Sequence, residues 1–399
     1  MRYLVFLGLS LLVWGCEEEP TPRHYQRERT KDLIGVGVVE VDGGEVWVLT
    51  QEVDRWQSAE PVHLDESIPP DYPYLFHSST LMLEAGGRHF RSIQHDQSDN
   101  TLVYHYSKVN DGYLIAGLAV TECADHTQRA VPMISVRDEN YQIVRWAQTS
   151  CEYAYPYANL SYNAHILPFA ISEISTGEFL YFGVGGLITC LTKYGEVSWA
   201  DGGNRDIRLS TISSLRNGGF ALTDLQDEVV QLFDNNGVHG RDIEFNSTDR
   251  FAVQTIRQWE NGAYLVAGVE LDSPYLHLWA YSELDSLPRD TTYQTDFCVD
   301  SVALYEAGDN MLLACMNGGS CDGPSAVQLI LLNSELAIVG ETSFGGNTHV
   351  VLKDVTVGAD GSIFLCGAYD RGNGSYSALV TKYDASLNAV WSTTVHPSM

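Results

Sequence analysis

The sequence predicts an all-β protein built as a closed ring of seven small antiparallel sheets, a seven-bladed β-propeller. Three observations favour this architecture. A short apolar run that follows a Gly, Asn or Asp turn recurs seven times. The later copies lie about 40 to 50 residues apart, and three further β-rich runs accompany each copy, a pattern typical of propellers.

The clearest copy occupies residues 352–395 and contains four short runs separated by turns. The runs are Leu352–Val357, Ile363–Ala368, Ala378–Asp384 and Ala389–Val395. They are rich in Val, Thr, Tyr and Trp, while Asp, Asn and Gly fill the turns, as is typical of neighbouring antiparallel strands. One copy of the repeat therefore predicts one four-stranded sheet.

The second strand of each sheet is the most regular element. The seven second strands are predicted over residues 44–49, 112–117, 177–183, 219–223, 262–268, 310–315 and 361–367. The first strands are predicted over residues 33–41, 102–109, 166–174, 207–215, 251–259, 299–305 and 350–357. The second strands are almost continuously apolar, which indicates sheets covered on both faces by neighbouring blades.

All four strands of each blade follow one another along the chain. We therefore expect the ring to close by packing of blade seven on blade one, without a strand exchanged between the two ends. A helical fold is disfavoured because Asp-Gly and Asn-Gly turns interrupt every apolar run before it reaches helix length. A pair of β-sandwiches is the alternative fold, but it fits a sevenfold repeat poorly.

The connection from third to fourth strand carries a recurring pattern of an Asp or Gly turn followed by a tryptophan. The pattern is clearest at Lys193–Trp199 and Lys382–Trp391. It resembles the quinoprotein-like (PQQ-type) propeller superfamily, whose members include quinone-dependent dehydrogenases and non-catalytic lipoproteins. The resemblance implies blade packing and carries no chemistry over, since fold alone does not define function.

Residues 1–15 form a predicted signal peptide, with Arg2 as its positive end and Leu4–Val13 as an apolar stretch too short to span a bilayer. The run Leu12–Cys16 resembles the bacterial lipoprotein signal. The resemblance implies cleavage before Cys16, diacylation of that cysteine with chains such as palmitate, and stable anchoring to the outer membrane. The alternative is an ordinary secretory signal with an unrelated cysteine.

Three glutamates, residues 17–19, follow directly and resemble the surface-export signal of Bacteroidota lipoproteins; the alternative is a solvated acidic tether. The protein would accordingly be periplasmic or surface-exposed. Residues 16–32 are polar and lack apolar periodicity, which predicts a flexible tether. Residues 33–399 are predicted to form one propeller domain.

Acidic residues dominate the chain, with 52 Asp and Glu against 23 Lys and Arg, and the formal net charge is -29. This charge excludes nucleic acid as a partner and disfavours direct adsorption to anionic lipid. Membrane contact is therefore expected through the N-terminal lipid alone. The apolar content of 44% is ample for a core.

Eight cysteines are present, and removing the lipid-bearing Cys16 leaves seven. An exported context permits disulfides. Cys123 and Cys151 lie in loops beside one predicted hairpin, so we predict that they pair, and Cys298 could meet Cys321 across another blade. Three cysteines lie within predicted strands and are expected to be buried and free: Cys190, Cys315 and Cys366.

Loops between second and third strands share one face of a propeller with the connections between blades. That face carries long insertions in blades one to three, with aromatic residues that could stack on a sugar or anchor a protein. The candidate ligand-binding aromatics are Trp56, Tyr153, Tyr155 and Tyr157. The alternative is that these side chains cover the blades as a lid.

Polar residues at the entry to the first strands should surround the mouth of the central channel on the same face. If this mouth binds a ligand, His165, Arg208, Arg250 and His349 are the expected polar contacts. The alternative is a solvated channel lining without a ligand.

No zinc-ribbon spacing, metalloprotease motif or nucleophile elbow occurs in the sequence, so it names no catalytic residue, metal ligand or cofactor. The predicted function is a lipid-anchored, non-catalytic binding or scaffold module for protein or glycan. The competing function is an enzyme, either a glycan hydrolase or lyase or a quinone-dependent oxidoreductase, with its site at the channel mouth. A purely structural subunit is a third possibility.

Overall fold

The fold comes from a computed structural model of the chain. The structure describes residues 29–41, 43–56, 75–94, 101–109, 112–124, 128–138, 140, 142–153, 155–156, 170–174, 177–182, 188–201, 209–224, 229–245, 251–259, 261–270, 273–282, 288–317, 326–345, 349–371 and 375–397. The predicted signal peptide and Cys16 lie outside these residues.

The described strands fall into seven sheets, which we number as blades one to seven. Blades one to three comprise β1 (Arg29–Glu40), β2 (Val46–Trp56), β3 (Leu75–Leu83), β4 (His89–Gln94), β5 (Thr101–Val109), β6 (Gly112–Glu122), β7 (Gln128–Arg137), β8 (Ile143–Gln148), β9 (Tyr155–Pro156), β10 (Ala170–Glu173), β11 (Phe179–Phe182), β12 (Ile188–Leu191) and β13 (Val197–Asp201). A single turn of 3-10 helix, Cys151–Tyr153, lies between β8 and β9.

Blades four to seven contain four strands each. They comprise β14 (Leu209–Ser214), β15 (Phe220–Asp224), β16 (Val229–Phe233), β17 (His239–Glu244), β18 (Phe251–Gln258), β19 (Tyr264–Glu270), β20 (Tyr275–Tyr281), β21 (Arg289–Gln294), β22 (Ser301–Ala307), β23 (Asn310–Asn317), β24 (Ala326–Leu332), β25 (Ile338–Gly345), β26 (Val350–Val357), β27 (Ile363–Asp370), β28 (Tyr376–Tyr383) and β29 (Ala389–Val395).

The seven sheets form a closed ring, which confirms the predicted seven-bladed β-propeller. Within every sheet the strands pair in chain order and antiparallel, and blade two adds β9 beside β7. Each first strand contacts the first strand of the next blade, and β1 contacts β26, so the first strands line the central axis. The predicted closure without an exchanged strand is also confirmed. β1 begins at Arg29, four residues before the predicted start.

The core consists of apolar layers between adjacent blades. Between blades five and six, for example, Leu265 and Leu278 pack with Leu304 and Leu313. The second strands are buried on both faces, as the burial of nearly all of β27 illustrates, whereas the fourth strands alternate between exposed and half-buried residues. Each fully buried leucine contributes about 2 kcal/mol, so the blades depend on their neighbours for stability.

Blade seven and blade one meet through a polar seam along β1. The backbone N–H of Val38 donates to Asp354 Oδ2 at 3.1 Å, and the hydroxyl of Thr356 donates to the carbonyl of Val38 at 2.7 Å. At the other end of β1, the N–H of Tyr376 donates to Oδ1 of the fully buried Asp32 at 2.8 Å. The first two bonds satisfy backbone groups on the inner edge of β1, which has no neighbouring strand of its own sheet there, and the third satisfies a backbone N–H of β28.

At the outer rim, a tryptophan of one blade packs on a glycine of the next. The indole N–H of Trp391 in blade seven donates to the carbonyl of Ala85 in blade one at 2.8 Å, and a Cβ added at Gly87 would lie 2.5 Å from the indole ring. Trp199 of blade three packs in the same way on Gly237 of blade four. The turn glycines therefore provide both a positive φ and room for the indole.

Blade six reverses this arrangement. Gly340 pairs with Leu331 beside the bulge of its sheet, the register position that Trp391 and Trp199 occupy in theirs. The turn of blade seven carries the buried Leu387 instead of a glycine, with a positive φ of 64°. A Cβ added at Gly340 would lie 3.5 Å from Leu387 Cδ1. In this pair the turn of blade seven provides the large side chain, Leu387, and the strand of blade six provides the small residue, Gly340.

The cysteines agree with the predictions wherever the structure describes them. Cys123 and Cys151 form a disulfide with Cα atoms 5.9 Å apart. Three cysteines are buried and free, namely Cys190, Cys315 and Cys366. Cys298 is disulfide-bonded, whereas Cys321 lies outside the described residues, so their pairing stays a prediction. No helix in the described part of the chain is long and apolar enough to cross a bilayer.

We expect the substitution Gly87→Ala to lower the free energy of unfolding much more than Gly262→Ala. Both glycines have a positive φ, 80° and 84°, but nothing lies within 4 Å of a Cβ built at Gly262. Strain alone should cost about 1 kcal/mol at either site, and the clash with Trp391 should add about 1–3 kcal/mol at Gly87. Urea unfolding measures both, and equal losses would contradict the packing of Trp391 on this turn.

Candidate functional site

Blades one and two extend beyond the ring on the face that carries the connections between blades. β1 and β2 have 12 and 11 residues and pair as far as Arg29 and Trp56, whereas β4 accompanies β3 only to Ser79. In blade two, β6 and β7 pair out to Glu122 and Gln128. Strands elsewhere in the described ring have four to nine residues. We call these extensions the platform, residues 29–34, 51–56, 75–78, 120–122, 128–132 and 155–156.

A disulfide holds the connection after blade two against the platform. Cys123, at the end of β6, is bonded to Cys151 in the 3-10 turn. Directly after this turn, β9 pairs with β7 through Tyr155 opposite Ala130 and Pro156 opposite Arg129. The covalent bond and the short ladder fix the backbone of residues 151–153 and 155–156 relative to blade two.

The predicted aromatic site is described only in part. The backbones of Trp56, Tyr153 and Tyr155 lie at the end of β2, in the 3-10 turn and in β9, all on the platform face. Tyr157 lies outside the described residues. The structure thus places three of these residues on two neighbouring blades and leaves the convergence of their side chains a prediction.

At the predicted channel mouth, only His349 belongs to the described residues. It is exposed and precedes β26, and its carbonyl accepts a hydrogen bond from the N–H of Asp370 at 2.8 Å. The other three predicted contacts, His165, Arg208 and Arg250, lie outside the described residues. The proposed polar mouth therefore stays a prediction.

The structure reveals a second candidate site, on the first strands around the axis. His105 Nε2 in blade two lies 3.9 Å from Glu173 Oε2 in blade three. This nitrogen is buried and has no hydrogen-bond partner among the described residues. The imidazole also packs against the ring of Phe179, with ring centroids 5.8 Å apart. A polar atom in this position is one that a ligand or an ordered water would satisfy.

Asp354 of blade seven also belongs to this second candidate site. We call His105, Glu173 and Asp354 the channel cluster. Burial raises the pKa of Asp354 to about 6, although the N–H of Val38 and the nearby His105 both favour its charged form. Gly37 stands at the corresponding register position in blade one, between Asp354 and His105, and a Cβ there would lie 2.6 Å from Tyr106. Blade one therefore contributes no side chain to the channel cluster at the position between Asp354 and His105.

Three further titratable groups belong to the same inner layer. Burial lowers the pKa of Lys353 to about 8, and burial raises the pKa of Tyr305 well above its usual range. Burial also lowers the pKa of Arg257, whose Nε donates to the carbonyl of Leu304 at 3.0 Å. Groups whose pKa values are moved toward neutral by burial are common at catalytic sites.

The channel cluster was not predicted from the sequence. Its signal was the charged pair Lys353–Asp354 inside the otherwise apolar strand Val350–Val357, where charged residues are unexpected. A bulge between Leu352 and Asp354 shifts the register of β26 at this point. Among the described residues there is no group of three or more His, Cys, Asp or Glu that could hold a metal ion.

We expect Asp354→Asn to stabilise the protein at pH 7.5 and to have little effect near pH 4. The folded-state pKa of Asp354 is raised to about 6, so folding favours the protonated acid, and the penalty for the charged form develops as the pH rises toward 6. The asparagine oxygen can still accept from Val38. Because one pKa unit corresponds to about 1.4 kcal/mol, we expect a gain of about 1–3 kcal/mol.

Thermal unfolding across this pH range measures the gain. Asp360→Asn is the control, because hydrogen bonds from Ser362 lower the pKa of the exposed Asp360, so its carboxylate stabilises the folded state above its pKa. That variant should gain nothing at pH 7.5. A pH-independent loss of stability in Asp354→Asn would contradict the assignment of Asp354 as a buried, destabilising charge.

No family model and no curated protein matches the chain. Several solved structures are similar in fold. A catalytically inactive virginiamycin B lyase from Staphylococcus aureus with quinupristin is 13% identical, with a TM-score of 0.50, over 85% of this chain and 95% of that one. U3-55K is 11% identical, with a TM-score of 0.49, over 86% and 89%. The C-terminal WD40 domain of Sif2 is 9% identical, with a TM-score of 0.43, over 90% and 84%. At 13% identity and a TM-score of 0.50, the likeness to the lyase shows the propeller fold alone.

Proposed function

We propose that the chain is an exported, lipid-anchored propeller whose platform face binds a protein or a glycan without catalysing a reaction. The observation that carries this proposal is the pair of extended hairpins on the ring, of which the one in blade two is fastened by the Cys123–Cys151 disulfide. A preorganised surface loses little conformational entropy when it binds, so less of the favourable interaction free energy is offset. Binding sites are commonly built on such extensions of a rigid scaffold.

Two features of the chain support the anchored-propeller part of the proposal. The run Leu12–Cys16 supports acylation of Cys16 and retention at the outer membrane, on the periplasmic or the exposed side. The packing of Trp391 and Trp199 on the turns of the following blades supports the PQQ-type repeat. In this proposal the repeat serves packing, and the platform carries the binding function.

An enzyme whose site lies in the channel is the second candidate, because of the channel cluster. Asp354 and Lys353 are neighbours in sequence and half-buried, and burial moves their pKa values to about 6 and about 8. A group with a pKa near neutral can act as a general acid or base. The binding function is preferred because it uses the platform, which the channel enzyme leaves unexplained.

The binding proposal predicts that a variant with Tyr153, Tyr155 and Tyr157 changed to Ala loses most of its partner. Quantitative mass spectrometry after crosslinking in envelope extracts measures recovery. The matched control is Tyr275→Ala, an exposed tyrosine that begins a third strand and so lies on the same face in blade five. Recovery of every partner by the triple variant at the level of the wild type would refute the aromatic site.

The anchoring proposal predicts that Cys16→Ala releases the protein from the membrane fraction. Because two or more acyl chains are needed for stable anchoring, removing their attachment site should leave the exported chain soluble. Membrane fractionation measures the distribution, and mass spectrometry of the N-terminal peptide detects the acyl groups in the wild type. An unmodified Cys16 in a membrane-bound wild-type chain would contradict the proposal.

A further inference from the structure

The chain enters the ring at a fixed point on the platform face. β1 begins at Arg29 and runs to Glu40, toward the connection with β2, so its start lies at the end of blade one that bears the platform. The buried Asp32 accepts the N–H of Tyr376 in blade seven, and Leu33 and Ile34 are buried as well. The direction in which the chain leaves the ring is therefore set by packing.

The distance from Arg29 back to the lipid site is short compared with the height of the ring at blade one. Residues 17–28 separate Cys16 from Arg29, so thirteen Cα-to-Cα steps join the two, and they reach about 47 Å when fully extended. β1 alone has 12 residues, which corresponds to about 40 Å along the strand. A tether that ran back to the opposite face would use almost all of its length on the height of β1.

Reaching past the rim adds a further distance. β1 is the innermost strand of its sheet, and three more strands lie outside it. At about 4.8 Å between strands, crossing them adds about 14 Å. The path around the blade thus exceeds the extended length of the tether, and the opposite face cannot lie against the bilayer.

We propose that the anchored protein stands with its platform toward the membrane and that its partner is an integral protein of that membrane. The inference rests on the proposed acylation of Cys16. Lipid itself is a poor partner, because the net charge of -29 opposes approach to anionic headgroups. A soluble partner would have to enter the space between platform and bilayer, whereas an embedded protein already occupies it.

Fluorescence energy transfer to a lipid-headgroup acceptor tests the orientation of the full, acylated chain on vesicles. One donor is introduced by an unnatural amino acid at the exposed Glu122, at the platform end of β6, and another at the exposed Val238, before a fourth strand on the opposite face. We expect several-fold higher transfer from Glu122. Equal transfer, or higher transfer from Val238, would overturn the proposed orientation.

The vesicle experiment also separates the two levels of the proposal. A chain that is acylated and bound but shows no difference between the two donors refutes the orientation and leaves the anchoring intact. A chain that carries no acyl group and does not bind vesicles refutes both. A variant with thirty Gly and Ser residues inserted after Glu19 is the matched control, because a longer tether should remove the difference between the donors.

The partner class is tested by photo-crosslinking in cells from the same two positions. We expect an adduct from Glu122 and none from Val238. In cells that lack this protein, the crosslinked partner should stay in the membrane fraction through an alkaline wash. A partner that the wash releases, or a soluble one, would refute the integral-protein assignment while leaving platform binding in place. Adducts of equal yield from both positions would refute the platform as the binding surface.

Discussion

Closure of the ring is the constraint on which the rest of the structure depends. Each blade is a sheet with two apolar faces, so it is stable only between two neighbours. Blade seven and blade one share no strand, and the seam uses the side chains of Asp354 and Asp32 to satisfy the backbone of facing strands. Burying a carboxylate is unfavourable, as the raised pKa of Asp354 indicates. The seam tolerates this cost because an unsatisfied backbone N–H would itself be unfavourable there.

The rim closes the same ring by a different interaction. A large side chain from one blade fills a space left by a small residue in the next, as Trp391 and Gly87 show, or the two roles are exchanged, as in Gly340 and Leu387. In each pair, the size of the side chain on one blade matches the space left by the residue on the next blade. The blades are therefore related in fold but are not interchangeable in position, which favours one order of blades around the axis.

Much of the fold follows from local residues, whereas the candidate site depends on contacts between blades. The turns and β-rich runs of residues 352–395 predict one sheet, and their recurrence predicts the ring. The pairing of Cys123 with Cys151 was predictable because both flank one hairpin. By contrast, Asp354 and His105 are 249 residues apart in sequence, and only closure of the ring brings their charges within reach of each other. The seam at Val38 was also beyond the sequence, since an acceptor for one backbone N–H leaves no periodic pattern.

A rigid platform and a fixed point of chain entry both require a closed ring, and both are lost if the seam between blade seven and blade one is loose. Hydrogen–deuterium exchange of the seam amides in β1 and β28 tests this most directly. The N–H of Val38, bonded to Asp354, and the N–H of Tyr376, bonded to Asp32, should exchange as slowly as the central amides of β19 and β27, through global unfolding. Fast exchange at these two amides, with protection retained in β19 and β27, would show that blade one separates from blade seven in the native state and would contradict a closed ring.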